Sequence, residues 1–474
     1  MLNYHTTPAP TQKEGKKLPQ YVAALSVCLG SLAAGGVLGW TGNISEDMKS
    51  QSFRGISIDD HALGWIGSIT TLGASFSCLP IGKMCDWFGR KKTMLSLTVP
   101  FLIGWILILF PQSLMMIYVG RFLTGMAGCA FCVAAPIYTS EIAEKSVRGI
   151  LGSYFELLLT VGILIAYIIP IFVNIFVYTI CLAVLPLLFA IVFVFQPESP
   201  VYTIKQNKEK SAETALIRLR GAKYDPKLEI LDIKRGLLED NSIQLSFFES
   251  LKKKATKKAF VISLSLMFFQ QAGGINAIVF YTQTIFESAG STLNPQISTI
   301  IVGLMQVIAT FVSGIVVDKL GRRILLIASN AIVTVCGVLL GIYFTLKERS
   351  LISEDSLTSL GLLPVISLSV FVTSFSSGMG PIPWVLSTEL FPPEVRGIGT
   401  GLASTFNWFI AFLVSKFYLD LQNAIGSDVT FYLYSFIAFL STLFIYLFVP
   451  ETKDKTMNEI QLELTTSKWR YTKL

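Results

Sequence analysis

Histidine and charge are what this sequence has least of: two histidines in 474 residues, and 15% charged residues where a soluble chain carries about 25%. With only His5 and His61 available, neither a histidine metal site nor a Ser-His-Asp arrangement is to be expected. No G-x-x-x-x-G-K-[ST] segment occurs, so a phosphate-cradling loop and nucleotide-driven work are excluded. The seven cysteines (Cys28, Cys78, Cys85, Cys129, Cys132, Cys181, Cys336) show no metal-ligand or paired spacing and read as small packing residues. No disulfide framework, metal or cofactor is expected, and no enzyme chemistry is visible. The first 20 residues hold Lys13, Lys16 and Lys17 but no short apolar segment ending in a cleavage site, so the first apolar span is expected to act as the targeting signal.

What the chain has in abundance is apolar surface: 52% hydrophobic residues and a mean hydropathy of +0.60. Runs of about 18 or more apolar residues, each able to cross a hydrocarbon core of about 30 Å, recur from end to end. Charged and turn-forming breaks place spans near 21–41, 62–83, 93–111, 116–139, 150–171 and 174–196, then 258–288, 296–318, 324–346, 360–388, 399–421 and 427–449. The fold class is therefore an all-α, multi-pass membrane protein. Most of the 38 Lys and Arg fall on one face if both termini are cytoplasmic, so the net charge of +7 reports orientation in a bilayer rather than nucleic-acid binding. Asn43-Ile44-Ser45, in the first external loop, makes Asn43 a candidate glycosylation site.

The expected organisation is a cytoplasmic tail (1–20), a six-helix bundle (21–196), a polar linker (197–257), a second six-helix bundle (258–449) and a C-terminal tail (450–474). Within the linker, Ser211–Gly221 has helical apolar spacing and predicts a surface helix. The halves repeat one another. DWFGRK from Asp86 matches DKLGRR from Asp318, SEIAEKSVRG from Ser140 matches TELFPPEVRG from Thr388, and PES from Pro197 matches PET from Pro450. Three motifs in one order imply duplication, and parallel repeats place a substrate site between the halves near the bilayer midplane.

These motifs, with Gly120-Arg121, PESP at 197–200, QQAGGINAIVFY at 270–281, GPIPW at 380–384, Asn407-Trp408 and PETK at 450–453, resemble the sugar porters of the major facilitator superfamily. The chain is similar to the facilitative glucose transporters and especially to the insect facilitated trehalose transporters. The resemblance implies twelve helices in two pseudo-symmetric bundles that carry a neutral sugar by alternating access, with a monomer as the expected working unit.

The charges Asp86, Arg90, Glu141, Arg148 and Glu198, with their counterparts Asp318, Arg322, Glu389, Arg396 and Glu451, sit at helix ends. Exposed pairs contribute only about 0–1 kcal/mol each, so the expected role is collective: a network that closes the cytoplasmic face in the outward-open state and breaks in the inward-open one. Gly89 and Gly321 supply the tight turns beside them.

A second set, Gln270, Gln271, Asn276, Gln306, Trp384 and Asn407, places amides and an indole inside the C-terminal spans. A sugar needs donors and acceptors together with an aromatic platform, although intramembrane amides also glue helices. The resemblance implies that Gln270, Gln271, Asn276, Trp384 and Asn407 contact sugar; Phe280 and Tyr281, at the outer end of the seventh span, read as an external gate or as aromatic-belt residues at the interface. Gly273-Gly274 marks a bend, and Pro381 and Pro383 predict a kinked, moving segment.

Glu156 departs from the glucose-transporter pattern, which has glutamine there. An intramembrane carboxylate signals function, and three readings stand: an acceptor for sugar hydroxyls, a proton-coupling group, or a partner for Arg148 or Arg90. Proton-coupled relatives carry an aspartate in the first span, whereas LGSLAAGGVLGW (29–40) has no acid, which favours uniport. Lys416 and Asp420 are four apart and can pair on one helix face.

Overall fold

The computed structural model describes residues 15–50, 53–144, 146–242 and 247–466, with the backbone alone for residues 50, 239–242, 247–248 and 318. Among them, twelve helices are long and apolar enough to cross a bilayer. The first half holds Leu18–Gly39, Asp60–Phe88, Arg90–Leu109, Leu114–Ile142, Arg148–Ile171 and Ile175–Phe193; the second holds Lys254–Ala289, Pro295–Val317, Arg322–Glu348, Glu354–Leu390, Pro393–Ile425 and Ser427–Phe448. They are called the first to twelfth spans below.

Lipid offers no hydrophobic drive to bring helices together, so close backbone approach has to do it. Gly35 of the first span and Gly162 of the fifth face each other, and a Cβ on either would strike the carbonyl of Leu159 or Leu32. The halves meet where the second span packs on the eleventh and the fifth on the eighth. Both described chain ends, the linker and the motif charges lie on one face, called here the termini face.

Two spans are broken where glycines and prolines predict it. The seventh stops at Ala272 and restarts at Ile275, with Gly274 in the left-handed region (φ 89°). The tenth runs Leu363–Ser377, breaks at Gly378 (φ −141°, ψ −73°) and resumes as Ile382–Leu390. Pro381 and Pro383 do not kink a continuous helix, as expected from sequence. They occupy the first turn of the second segment, where N–H groups lack intrahelical partners anyway.

In the linker, Glu209–Arg220 forms the expected helix. Its last residue, Arg220, is buried against the first half, donating to the Ile142 carbonyl at 2.8 Å and pairing with Glu144 and Glu229. The C-terminal tail carries a helix the sequence reading did not foresee, Met457–Thr466, whose Ile460 and Leu464 are buried with Ala255 and Phe391 of the second half.

Candidate functional site

The breaks in the seventh and tenth spans bring their polar side chains to one place. Asn276 donates to the Gln271 oxygen at 2.6 Å, and Gln271 donates to the Asn407 oxygen at 2.9 Å. Asn407 donates to the Gln270 oxygen at 2.7 Å, and Gln270 spends both amide hydrogens on the carbonyls of Met379 (2.8 Å) and Gly380 (2.7 Å). Those carbonyls belong to the break in the tenth span. A relay of four amides thus ties the seventh, tenth and eleventh spans together.

Beside the relay lies a cavity of about 440 Å³ between the halves. Gln270, Gln271, Asn276, Gln306 and Trp384 line it from the second half, and Glu156 lines it from the first. Asn407 is the exception among the expected contacts. It is fully buried behind the wall and orients the two glutamines rather than facing the cavity.

Counting hydrogen-bonding capacity shows what the cavity offers. Gln271 and Asn276 each keep one amide hydrogen and acceptor capacity free of the relay. Trp384 and Gln306 add an indole and an amide to the lining. Among the described residues Glu156 has no ion pair; Arg90 is engaged with Glu141, and Arg148 donates to the Ala143 carbonyl, so the reading of Glu156 as an arginine partner is not met. The sequence reading missed Phe155 and Phe375, which add apolar ring surface to the wall. Aromatics in apolar spans carry no signal that separates cavity from packing.

The lining descends to Gly152 and Thr388, both exposed, next to the charges of the termini face. The opposite face is sealed by bonds between halves. Gln283 N–H donates to the Gly42 carbonyl (3.1 Å), the Tyr167 hydroxyl to the Val279 carbonyl (2.8 Å), and the Ser45 and Thr284 hydroxyls meet at 3.0 Å. Phe280 and Tyr281 are both fully buried in this seal. Tyr281 leaves helical geometry (φ −125°, ψ 25°), stacks on Tyr418 at 5.4 Å, and its hydroxyl lies 3.5 Å from the Leu63 and Gly64 carbonyls of the first half.

Asn43, the expected glycosylation site, also belongs to the seal. The residue is fully buried and its amide donates to the Tyr167 carbonyl at 2.6 Å, so no glycan can be attached without unpacking this corner.

The motif charges form two copies of one arrangement, each inside a single half. Arg90 forks onto Glu141 at 2.7 and 2.8 Å, Ser199 donates to the same carboxylate, and Glu198 accepts the N–H groups of Arg90 and Lys91 at 3.1 Å. Arg322 pairs with Glu389 at 3.2 Å, Thr452 donates to Glu389 at 2.6 Å, and Glu451 accepts the N–H groups of Arg322 and Arg323 at 3.0 Å. Each lone glutamate therefore sits at the positive end of a helix. Gly89 (φ 93°) and Gly321 (φ 90°) make the turns against which these carboxylates pack.

Asp86 pairs with Arg90 and Lys205; the side chain of Asp318 lies outside the described residues. Arg148 and Arg396 depart from the expected carboxylate network, each donating instead to a carbonyl at the end of the preceding span, Ala143 and Phe391, at 3.4 Å. The termini face is open and the Arg90–Glu141 and Arg322–Glu389 pairs are nonetheless intact. The expectation that opening breaks them is corrected, because the partners of each pair ride on the same half. Ser199 and Thr452, also missed, were legible as the third letter of PES and PET.

Arg121 is fully buried in the fourth span, with no carboxylate partner among the described residues. It donates to the Ile66 carbonyl (3.0 Å) and the Val37 carbonyl (2.9 Å), and its guanidinium lies 5.1 Å from the Trp40 ring. The first span meets this cation with a backbone oxygen, as expected of a stretch that contains no acid.

Two duplicated six-helix halves around a cavity of amides set in an apolar wall, sealed on one face and open on the other, define a membrane carrier of the major facilitator architecture. The profile described as "Sugar (and other) transporter" matches residues 23–464, and the chain belongs to that family. It is 34% identical over 447 residues to the facilitated trehalose transporter Tret1 of Polypedilum vanderplanki, covering 94% of this chain and 88% of that protein. It is 35% identical over 446 residues to Tret1 of Anopheles gambiae, covering 94% of this chain and spanning only 56% of that longer protein. Among solved structures, the partially occluded inward-open xylose transporter XylE from E. coli superposes with a TM-score of 0.77 at 22% identity, over 92% of this chain and 99% of that one, a likeness of fold.

Proposed function

We propose that the chain carries a neutral sugar, trehalose or a hexose such as glucose, down its gradient across the cell membrane by alternating access, as a monomer with both termini cytoplasmic. The observation that carries this reading is the unclaimed hydrogen-bonding capacity of Gln271, Asn276, Gln306 and Trp384 around one cavity between the halves. Amides donate and accept, which suits hydroxyls, and the indole offers a flat apolar face to a sugar ring. The trehalose transporters among the relatives favour a disaccharide.

The mechanism follows from the two faces. Sugar held by the second-half amides leaves toward the termini face, and the seal at Gly42, Tyr167 and Tyr281 separates when the halves rock the other way. Among the described residues Arg121 bonds to carbonyls and lies over a ring, which supports a first span that adds no proton acceptor to the cycle. Glu156 supports a second reading, proton symport, because its carboxylate faces the cavity without an ion pair.

Initial-rate uptake of labelled trehalose and labelled glucose into oocytes, in acidic and in neutral medium, tests both. Saturable uptake insensitive to external pH is expected. Acid-stimulated uptake selects symport, and no uptake of either sugar refutes transport and leaves a sugar sensor.

A further inference from the structure

Sequence spacing gives the cysteines no pairing, yet the fold brings three of them to one wall of the cavity. Cys78 of the second span and Cys129 of the fourth touch, Sγ to Sγ, at 3.4 Å, and both line the cavity together with Cys132, one turn beyond Cys129. All three are free thiols, and the Cys78–Cys129 separation is well beyond the ~2.05 Å of a disulfide bond. Trp408 of the eleventh span packs against this pair from the other half. Sugar recognition by amides and indole leaves these sulfurs without a task.

We propose that Cys78 and Cys129 form a dithiol site for trivalent organoarsenicals, entered from the central cavity. Among the described residues no group of three or more His, Cys, Asp or Glu side chains gathers in a way that would hold a metal ion, so the ligand class is one satisfied by two sulfurs. An aryl arsenous acid, RAs(OH)2, meets that requirement. Two As–S bonds form as two As–O bonds break, each thiol proton leaves with a hydroxyl as water, and arsenic stays trivalent, so no oxidant or reductant takes part. Neutral thiols suffice, which suits sulfurs held in an apolar wall. The aryl group then occupies space in the cavity and excludes sugar; that last step rests on the proposed transport reading, whereas capture does not.

The test uses the full chain in detergent, treated with phenylarsine oxide, washed with a monothiol and weighed intact. One phenylarsenic group is expected to survive the wash, to be removed by 2,3-dimercaptopropanol, and to be lost in Cys78→Ser and in Cys129→Ser but kept in Cys181→Ser. Because the second As–S bond is intramolecular, removing either thiol is expected to weaken capture by about 100-fold or more. No retained group on the native chain, or retention by the double variant, overturns the proposal; Cys78→Ala and Cys129→Ala replace any serine variant that fails to fold. In vesicles, the ratio of treated to untreated uptake falls for the native chain and not for the variants, and excess sugar slows capture. Capture that sugar does not slow, in a chain with saturable uptake, overturns entry through the sugar cavity. A chain that captures arsenic and takes up no sugar fails the transport reading alone.

Discussion

Asn407 donates to Gln270 at 2.7 Å from a position with no exposure to the cavity, so this residue shapes the site without facing it. Asn407→Ala strips a partner from both Gln270 and Gln271. An unpaired buried amide group costs about 1–3 kcal/mol, so the sugar KM should rise about tenfold or more while a residual kcat persists. Gln270→Ala or Asn276→Ala should instead abolish saturable uptake with surface expression intact. An unchanged KM in Asn407→Ala would dismiss its orienting role.

Glu156→Gln keeps an acceptor and a donor at the cavity wall and removes the titratable group. Uptake by this variant should stay within about threefold of the native rate, since a hydrogen bond to a sugar hydroxyl survives and its net worth is only about 1 kcal/mol. Comparing uptake with and without an imposed pH gradient checks it. Collapse of sugar uptake in the variant, together with loss of gradient dependence, would move Glu156 from hydroxyl acceptor to proton carrier.

Arg90→Ala leaves Glu141 without its forked partner, and breaking such a buried pair costs about 3–5 kcal/mol. Arg322→Ala removes the matching pair with Glu389 in the second half and should likewise destabilise it. The two networks ride on separate halves, so their effects on unfolding temperature in detergent should add in the double variant. Counterflow exchange should slow as well. Strong non-additivity would show that the networks communicate across the interface.

Acid should weaken the termini face of the second half. Partial burial pushes the Glu451 pKa up, but the backbone N–H groups of Lys453, Arg322, Arg323 and Thr452 outweigh it and hold the pKa below the ordinary glutamate value of 4.5. A depressed folded pKa contributes stability above the unfolded value and loses it as pH falls through the folded one. Unfolding temperature should therefore drop on acidification below the ordinary carboxylate range, and drop less in Glu451→Gln. In the first half Glu144, held down by Lys17, the Gly15 N–H and Arg220 against its partial burial, should behave in the same way. Identical pH profiles for native and variant chains would remove these carboxylates from the stability balance.

Peptide N-glycosidase treatment of the chain made in a glycosylating host should leave its electrophoretic mobility unchanged, because Asn43 is buried against Tyr167. A mobility shift lost in Asn43→Gln would require this corner of the seal to fold after glycan transfer.

The spans, the duplication and the amide set were legible because each rests on local pattern: long apolar runs, repeated motifs, and glycine or proline where a helix must break. What sequence could not supply was which side of a wall a residue occupies. Asn407 and Gln271 are the same chemistry in similar apolar surroundings, and only packing puts one behind the other. The Asn43 tripeptide is satisfied by three letters, whereas its burial depends on Tyr167, far along the chain. Cys78 and Cys129 meet only because the second and fourth spans lie side by side.

Gln270 has two amide hydrogens, and both hold carbonyls at the break in the tenth span. Any hydroxyl that claims one of them must loosen the Met379 or Gly380 tether. On the proposed transport reading, recognition by Gln270 and the stiffness of the break in the tenth span are set by one side chain in competition with itself. A sugar that took one of those hydrogens would then soften the break, and a close mimic that left both alone would sit in the cavity without loosening it.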